Sequence, residues 1–228
     1  MKVLGHRGIP VLHPENTIKS FLTALRYGAD GLETDVRLTA DGVPVLIHDE
    51  DLERLAGKSL KVSRLTLSEL KEFSINGEKV PTLEEFLRVI PPGKWVNLEL
   101  KEAEAGELAV KFALSHYDGH LVFSSFDHEL IEFLKWKYGQ ANFGYLFDER
   151  HKNLSFKDIR KLFAQRTFSA HMPIELKLID PRKFLAVCNL VKSLNLKLVL
   201  WTVNEPSLIE DIREFLDFVI TDDVRLFT

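Results

Sequence analysis

Cysteine is nearly absent from this sequence of 228 residues, and that absence narrows the class of protein. The single cysteine, Cys188, lies in the apolar run FLAVCNLV, so no disulfide framework can form and a buried, inert thiol is expected. This use of cysteine is typical of a reducing compartment. We therefore expect the protein to be cytoplasmic.

The sequence also lacks a basic cluster and a long hydrophobic run. The net charge is −4, and Lys and Arg are scattered without a run of five, which does not favour a nucleic-acid partner. The first stretch, MKVLGHRG, turns polar after two apolar residues, unlike a signal peptide or a membrane span. We expect neither a nucleic-acid nor a membrane partner, whereas a small anionic ligand held by one or two cations fits.

Short apolar runs alternate along the chain with segments of helical period. The eight runs are VLGH, GLETDV, VNLEL, LVFSSF, NFGYLF, TFSAHM, KLVLWTV and FVIT. Repeated βα units over about 220 residues predict a closed (β/α)8 TIM barrel, with residues 1–228 as a single domain. An open doubly wound sheet is the rival, but no G-x-G-x-x-G motif follows the first run.

A further apolar stretch, residues 43–48, follows the second run after only the five residues LTADG. A parallel crossover needs a dozen residues or more, whereas the Asp-Gly pair at 41–42 is a hairpin signal. This stretch is therefore predicted to run antiparallel and to return His48 to the barrel mouth. Residues 51–81 are too short and too polar for a separate core, so we expect a small insertion there.

Reactive groups of such barrels lie at the carboxyl ends of the strands. The polar or aromatic residues at these ends are His6, Arg7, Glu33, Asp35, His48, Glu99, Lys101, Trp201 and Asp222. Because a strand repeats its face every two residues, Glu33 and Asp35 point the same way, as do Glu99 and Lys101. Both pairs are predicted to point into the barrel.

Three inward carboxylates, Glu33, Asp35 and Glu99, cannot all stay ionised without a positive partner. Oxygen ligands select hard cations such as Mg²⁺, Ca²⁺ or Mn²⁺. The pattern therefore predicts one divalent cation on these three residues. The alternative is a salt-bridge cluster of the same carboxylates with Arg7 and Lys101.

Histidine titrates near neutrality, so His6 and His48 at the rim of the same cavity are candidates for proton transfer. Each could instead be a metal ligand or a structural histidine. His171, toward the end of the sixth run, either lines the same pocket or simply packs.

Positive and apolar groups complete the expected pocket. Arg7 and Lys101 supply charge suited to a phosphate. Phe126 and Trp201 offer apolar walls for the rest of a ligand, with plain barrel packing as the alternative.

Taken together, the motifs GHRG, PENT, ExDV, DGxPVxxHD, ELK and ITDD, in this order over nearly the whole chain, resemble the glycerophosphodiester phosphodiesterase family. The resemblance implies a TIM barrel that hydrolyses glycerophosphodiesters, such as glycerophosphocholine or glycerophosphoethanolamine, to sn-glycerol 3-phosphate and an alcohol. His6 and His48 match the family's catalytic pair. Glu33, Asp35 and Glu99 match its metal ligands, and Arg7 and Lys101 match its phosphate contacts. Glu15 and Asn16 match a motif that braces the first loop.

We expect His6 to take the proton of the attacking glycerol hydroxyl and His48 to protonate the departing alcohol, but the sequence does not specify which ring is the base and which is the acid. By the same resemblance, water then opens a cyclic phosphate with the roles reversed. Two positions depart from the family's pattern: Leu55 follows Arg54 where Thr is frequent, and Val224 stands where Pro is frequent. They bear on leaving-group preference more than on the chemistry.

Three other functions compete with this one. Paired carboxylates on a barrel also suit a glycoside hydrolase, against which Arg7 and Lys101 argue. A catalytically dead phosphodiester-binding protein and a phospholipase acting on membrane lipid are the others, and no amphipathic membrane-binding segment supports the last. The sequence does not specify the alcohol, the metal or the oligomeric state.

Overall fold

The computed structural model describes residues 1–164 and 166–228, and its strands form a closed barrel. In chain order the strands are β1 (Lys2–His6), β2 (Gly31–Leu38), β3 (Pro44–Leu46), β4 (Asp51–Leu52), β5 (Lys58–Lys61), β6 (Trp95–Leu100), β7 (His120–Ser125), β8 (Phe143–Leu146), β9 (Ser169–Pro173), β10 (Lys197–Trp201) and β11 (Phe218–Thr221). Within these described residues, the eight strands other than β3, β4 and β5 pair in parallel, and β11 pairs with β1 to close the ring. The predicted (β/α)8 TIM barrel is confirmed.

Helices connect most barrel strands and cover the outside of the barrel. They are α1 (Ile18–Arg26), α2 (Glu53–Ala56), α3 (Leu67–Glu72), α4 (Leu83–Val89), α5 (Ala103–His116), α6 (His128–Lys137), α7 (Phe156–Phe163), α8 (Glu175–Ile179) and α9 (Pro181–Ser193). Segments of 3₁₀ helix cover Val62–Arg64, Glu149–His151, Pro206–Phe215 and Val224–Leu226. The third of these takes the place of a helix between β10 and β11. Capping boxes begin α3 at Thr66 and α4 at Thr82.

The hairpin after β2 forms as predicted. β3 pairs antiparallel with β2, with Val36 opposite Leu46. Gly42 has φ +79°, a left-handed conformation that glycine adopts without strain. The chain therefore turns back and brings His48 to the carboxyl end of the barrel.

The insertion at residues 51–81 packs against the hairpin. It buries a small apolar cluster, to which Leu52, Val62 and Leu70 contribute, against Val45 and Ile47 from the hairpin region. The insertion thus shares its core with the hairpin, which supplies part of the apolar surface. The cluster fixes the insertion beside the barrel mouth.

Alternation along each strand divides the core in two. Outward residues such as Leu32 and Val36 are fully buried in the main apolar core that the helices share. Inside the amino-terminal end of the barrel, the Trp95 ring lies 4.8 Å from the Phe218 ring and 6.1 Å from the Phe168 ring, centroid to centroid. These aromatic rings fill that end of the barrel.

Two further expectations concern the single cysteine and the absence of a membrane-spanning helix. Cys188 is fully buried, and burial raises the pKa of its thiol to about 12, as expected for an inert cysteine. Over the parts of the chain that the structure describes, no helix has the length and apolar character needed to cross a membrane.

Candidate active site

A cavity of about 290 Å³ lies at the carboxyl ends of the barrel strands, and we call it the strand-end cavity. Its polar wall consists of His6, Arg7, Glu33, His48, Asn97, Glu99, Lys101 and Thr202, and its apolar wall consists of Phe126, Leu146, Trp201 and Ile220. The structure thus brings the predicted site residues together around one space. Asp35 alone among them lies beneath the wall, with no exposed surface.

The three carboxylates are held together by the pairing of β2 with β6. That register places Asp35 directly opposite Glu99, and Glu33 follows the same inward face of β2. One oxygen from each of Glu33, Asp35 and Glu99 lies within 4.8 Å of the others, and all three side chains are buried. A buried set of oxygen donors this close is compatible with a divalent metal site.

Two cations lie against this acidic cluster. Lys101 Nζ lies 2.9 Å from Asp35 Oδ1 and also contacts the Glu99 carboxylate. Arg7 Nε lies 3.1 Å from Asp35 Oδ2. Asp35 is thus paired twice. Among the described residues, Glu33 accepts a hydrogen bond from the backbone N–H of Arg7 at 3.2 Å and faces His6 Nε2 at 3.9 Å.

The unequal pairing separates the two carboxyl groups of β2. Burial raises the pKa of Glu33, the charge of Asp35 raises it further, and the result is about 8. Burial also acts on Asp35, but the charges of Lys101 and Arg7 outweigh it and hold the pKa of Asp35 well below its usual range. The salt-bridge alternative therefore accounts for Asp35 and Glu99. Glu33 lies 3.9 Å from His6 and apart from these two cations, and a divalent cation would favour its ionised form.

The loop after β1 is shaped to support these groups. Gly8 has φ +95°, and a Cβ there would lie 2.4 Å from Ser20 Oγ, so the GHRG turn requires glycine at this position. Asn16, from the PENT motif, donates from Nδ2 to Asp35 Oδ2 at 2.9 Å and accepts from Thr34 Oγ1 at 2.7 Å. Asn16 therefore braces the carboxylate of Asp35 as well as the loop.

Each imidazole at the rim has a carboxylate on its Nδ1. His6 Nδ1 lies 2.6 Å from Asp222 Oδ1, and His48 Nδ1 lies 2.7 Å from Asp49 Oδ1. Asn204 Nδ2 donates to the other oxygen of Asp222 at 2.7 Å. A partner on Nδ1 fixes the ring and leaves Nε2 for exchange of a proton with a ligand.

The two imidazoles differ in their electrostatic surroundings. Burial lowers the pKa of His6, but the hydrogen bond to Asp222 and the charge of Glu33 outweigh it, so that pKa is raised. Burial lowers the pKa of His48, and the neighbouring charges do not reverse the effect. One ring therefore favours the charged form and the other the neutral form.

The apolar wall is formed by rings that meet edge to face. The centroids of Phe126 and Trp201 are 5.7 Å apart with planes at 84°. The guanidinium of Arg150 lies 4.7 Å from the centroid of Phe126. The cavity thus has a charged side and an aromatic side, as an amphiphilic anionic ligand requires.

His171 does not line the strand-end cavity. It lies deeper in the barrel, fully enclosed, with Nε2 2.8 Å from Ser169 Oγ, and burial lowers its pKa to about 3. Sequence reasoning assigned no role to Asp49, Asp222 or Asn97, all of which the structure places at the site. The strand-end position of Asp222 and the HD pair at 48–49 were the available signals.

Comparisons with known proteins agree with this geometry. The sequence matches the glycerophosphoryl diester phosphodiesterase family over residues 6–226. It is 30% identical to a glycerophosphodiester phosphodiesterase of Caldanaerobacter subterraneus subsp. tengcongensis, over 97% of this chain and 93% of that protein.

Solved structures give the same result. A crystal structure of glycerophosphodiester phosphodiesterase from Thermotoga maritima is similar with a TM-score of 0.87 and 35% identity, over 100% of this chain and 96% of that one. A phosphodiesterase from Oleispira antarctica, solved with the product sn-glycerol-3-phosphate, is similar with a TM-score of 0.86 and 27% identity, over 99% and 95% of the two chains.

Proposed function

The chain belongs to the glycerophosphoryl diester phosphodiesterase family, and on that basis we propose that it hydrolyses glycerophosphocholine, glycerophosphoethanolamine or similar diesters to sn-glycerol 3-phosphate and an alcohol. The observation that carries this proposal is the buried carboxylate cluster of Glu33, Asp35 and Glu99 beside two cations and two imidazoles. The product bound to the Oleispira antarctica protein supports a small-molecule substrate.

Glu33, Asp35 and Glu99 would hold one divalent cation, with Mg²⁺, Ca²⁺ or Mn²⁺ as candidates because every donor is an oxygen. When bound, such a cation supplies positive charge that stabilises the charge developing on the phosphate. Arg7 and Lys101 line the same cavity and would bind phosphate oxygens, Arg7 with its planar fork and Lys101 as a point charge.

His6 and His48 would transfer the protons. The carboxylate on each Nδ1 orients the ring, as a third group does in nucleophile–base pairs generally. We propose that one ring takes the proton of the attacking hydroxyl and the other protonates the leaving alcohol, with the roles exchanged when water opens the cyclic phosphate. The expectation from the sequence gives the first role to His6, whereas the raised pKa of His6 and the lowered pKa of His48 favour His48 as the base and His6 as the acid in the metal-free protein. Phe126 and Trp201 would exclude water on the apolar side of the substrate.

The rest of the proposal concerns the protein as a whole. Residues 1–228 would act as one domain in the cytoplasm on a small substrate, without a nucleic-acid or membrane partner. The glycoside hydrolase alternative is disfavoured because Arg7 and Lys101 contact the acidic cluster and would favour an anionic ligand.

The test is hydrolysis of glycerophosphocholine in the presence of saturating Mn²⁺, Mg²⁺ or Ca²⁺, with release of sn-glycerol 3-phosphate as the measured product. We expect EDTA to abolish turnover and His6→Ala and His48→Ala each to lower kcat by about 10²- to 10⁴-fold. Hydrolysis of nitrophenyl glycosides in place of the diester, or full turnover in EDTA, would refute the proposal.

A further inference from the structure

Arg54, on α2 of the insertion, donates hydrogen bonds to carboxylates from two different parts of the chain. Its Nε donates to Asp49 Oδ2 at 2.6 Å. Its Nη1 and Nη2 donate to the two carboxylate oxygens of Glu15 at 3.0 and 2.7 Å. The planar fork of arginine suits this bidentate contact, which the single ammonium of lysine cannot reproduce.

Both carboxylates also hold a residue of the strand-end cavity. The second oxygen of Asp49 lies 2.7 Å from His48 Nδ1. Glu15 Oε1 accepts from Arg7 Nη1 at 3.0 Å. A single carboxylate therefore connects Arg54 to His48, a candidate for proton transfer, and another connects it to Arg7, a candidate phosphate contact.

The surroundings of His48 hold its ring less firmly than those of His6 hold its own. The His48 side chain is 36% exposed, against 19% for His6. Asp222, the carboxylate on His6, is held by an amide of the barrel, Asn204. Asp49 is held instead by Arg54, which the insertion supplies.

Stability is a poor explanation for the contacts of Arg54. Its side chain is half exposed, and exposed ion pairs contribute little to the stability of a folded protein. The contacts converge on cavity residues, so their effect is expected in the position of those residues.

We propose that Arg54 is a positioning residue, which holds the ring of His48 through Asp49 and the guanidinium of Arg7 through Glu15. The insertion at residues 51–81 then has a role in the reaction, because it carries this arginine to the rim. The effect on turnover rests on the function proposed above, whereas the effect on the ring of His48 does not.

The first test compares Arg54→Ala with Arg64→Ala, an exposed arginine of the same insertion. We expect Arg54→Ala to lower kcat/KM on glycerophosphocholine by about 10- to 100-fold. Its thermal midpoint should fall by no more than about 4 °C. Arg64→Ala should retain the wild-type rate.

The contacts of Arg54 with Asp49 and with Glu15 should affect different kinetic constants. Asp49→Asn should act mainly on kcat, through His48, and Glu15→Gln mainly on KM, through Arg7. Free guanidinium ion should restore part of the rate of Arg54→Ala, whereas Arg54→Lys should remain impaired. Wild-type kinetics in Arg54→Ala, or a loss of rate that accompanies unfolding and is not restored by guanidinium, would overturn the proposal.

A second readout needs neither substrate nor metal. The ¹⁵N shifts of the His48 imidazole report its tautomer, and we expect one dominant tautomer in the wild type and a mixture in Arg54→Ala. Unchanged His48 shifts in that variant would refute the positioning role. Failure of the wild type to hydrolyse the diester would instead refute the proposed function and leave this measurement to decide on Arg54.

Discussion

The two ends of the barrel interior are built from the same strands yet have opposite character. Along β6 the inward residues are Trp95, Asn97 and Glu99: an aromatic ring in the packed end, a neutral amide, and a carboxylate in the strand-end cavity. Along β1, Leu4 packs in the lower interior and His6 lines the cavity. A step of two residues along a strand thus separates a side chain that packs in the barrel interior from one that lines the cavity.

The two ends also treat charge differently. The lower end buries His171 as a neutral ring, because burial lowers its pKa to about 3. The cavity end buries Glu33, Asp35 and Glu99, with Arg7 and Lys101 against Asp35 and with His6 3.9 Å from Glu33. The lower end thus keeps its titratable ring neutral, whereas the cavity end holds a carboxyl group, Glu33, whose ionised form a divalent cation would favour.

The largest change in the free energy of unfolding is expected at Asp35, in the cavity end. Asp35→Asn removes the shared partner of Arg7 and Lys101, and breaking a buried ion pair on one side costs about 3–5 kcal/mol. Urea denaturation of the metal-free protein measures this loss in the free energy of unfolding. A loss below about 1 kcal/mol would mean that these buried charges are better solvated than the structure indicates.

The buried ring of His171 at the lower end should make the free energy of unfolding depend on pH. The unfolded chain protonates His171 near pH 6.5 and the folded protein only near pH 3, so the unfolded state binds more protons between these values. The contribution of His171 is complete above pH 6.5 and is lost as the pH falls, at up to about 1.4 kcal/mol per pH unit. His171→Leu should flatten the dependence of the urea midpoint on pH, and an equal slope in both proteins would contradict the burial of a neutral ring.

The smallest change is expected at Glu33, whose ion pair with His6, at 3.9 Å, is longer than the contacts of Asp35 with Arg7 and Lys101. Because burial and the charge of Asp35 both oppose its ionised form, Glu33→Gln should leave the free energy of unfolding unchanged or slightly increase it. Hydrolysis of glycerophosphocholine should nevertheless be lost. Marked destabilisation by this substitution would show that Glu33 supports the fold rather than the site.

The sequence was sufficient for the barrel, the hairpin and the inward set of charged residues, because these follow from patterns of two residues in strands and from turn chemistry. Asp35 and Glu99 could be predicted to face the same barrel interior even though they are 64 positions apart along the sequence. Depth along the barrel could not be predicted. His171 therefore remained ambiguous until the structure placed it below the cavity.

Contacts between distant segments were the other limit. The bond between His6 and Asp222 joins residues 216 positions apart, and the contact of Arg54 with Glu15 spans 39. Such contacts depend on where loops pack, which local periodicity does not encode. The apolar cluster of the insertion escaped prediction for the same reason, since Val45 and Ile47 complete it from outside.

The carboxylates of the cavity end are proposed to bind one divalent cation. Calorimetric titration of the metal-free protein with Mn²⁺ measures this binding, with a Glu33→Gln/Glu99→Gln variant as the comparison. We expect one ion per chain in the wild type and no measurable binding in the variant. Equal stoichiometry and affinity in both proteins would show that these carboxylates do not hold the ion.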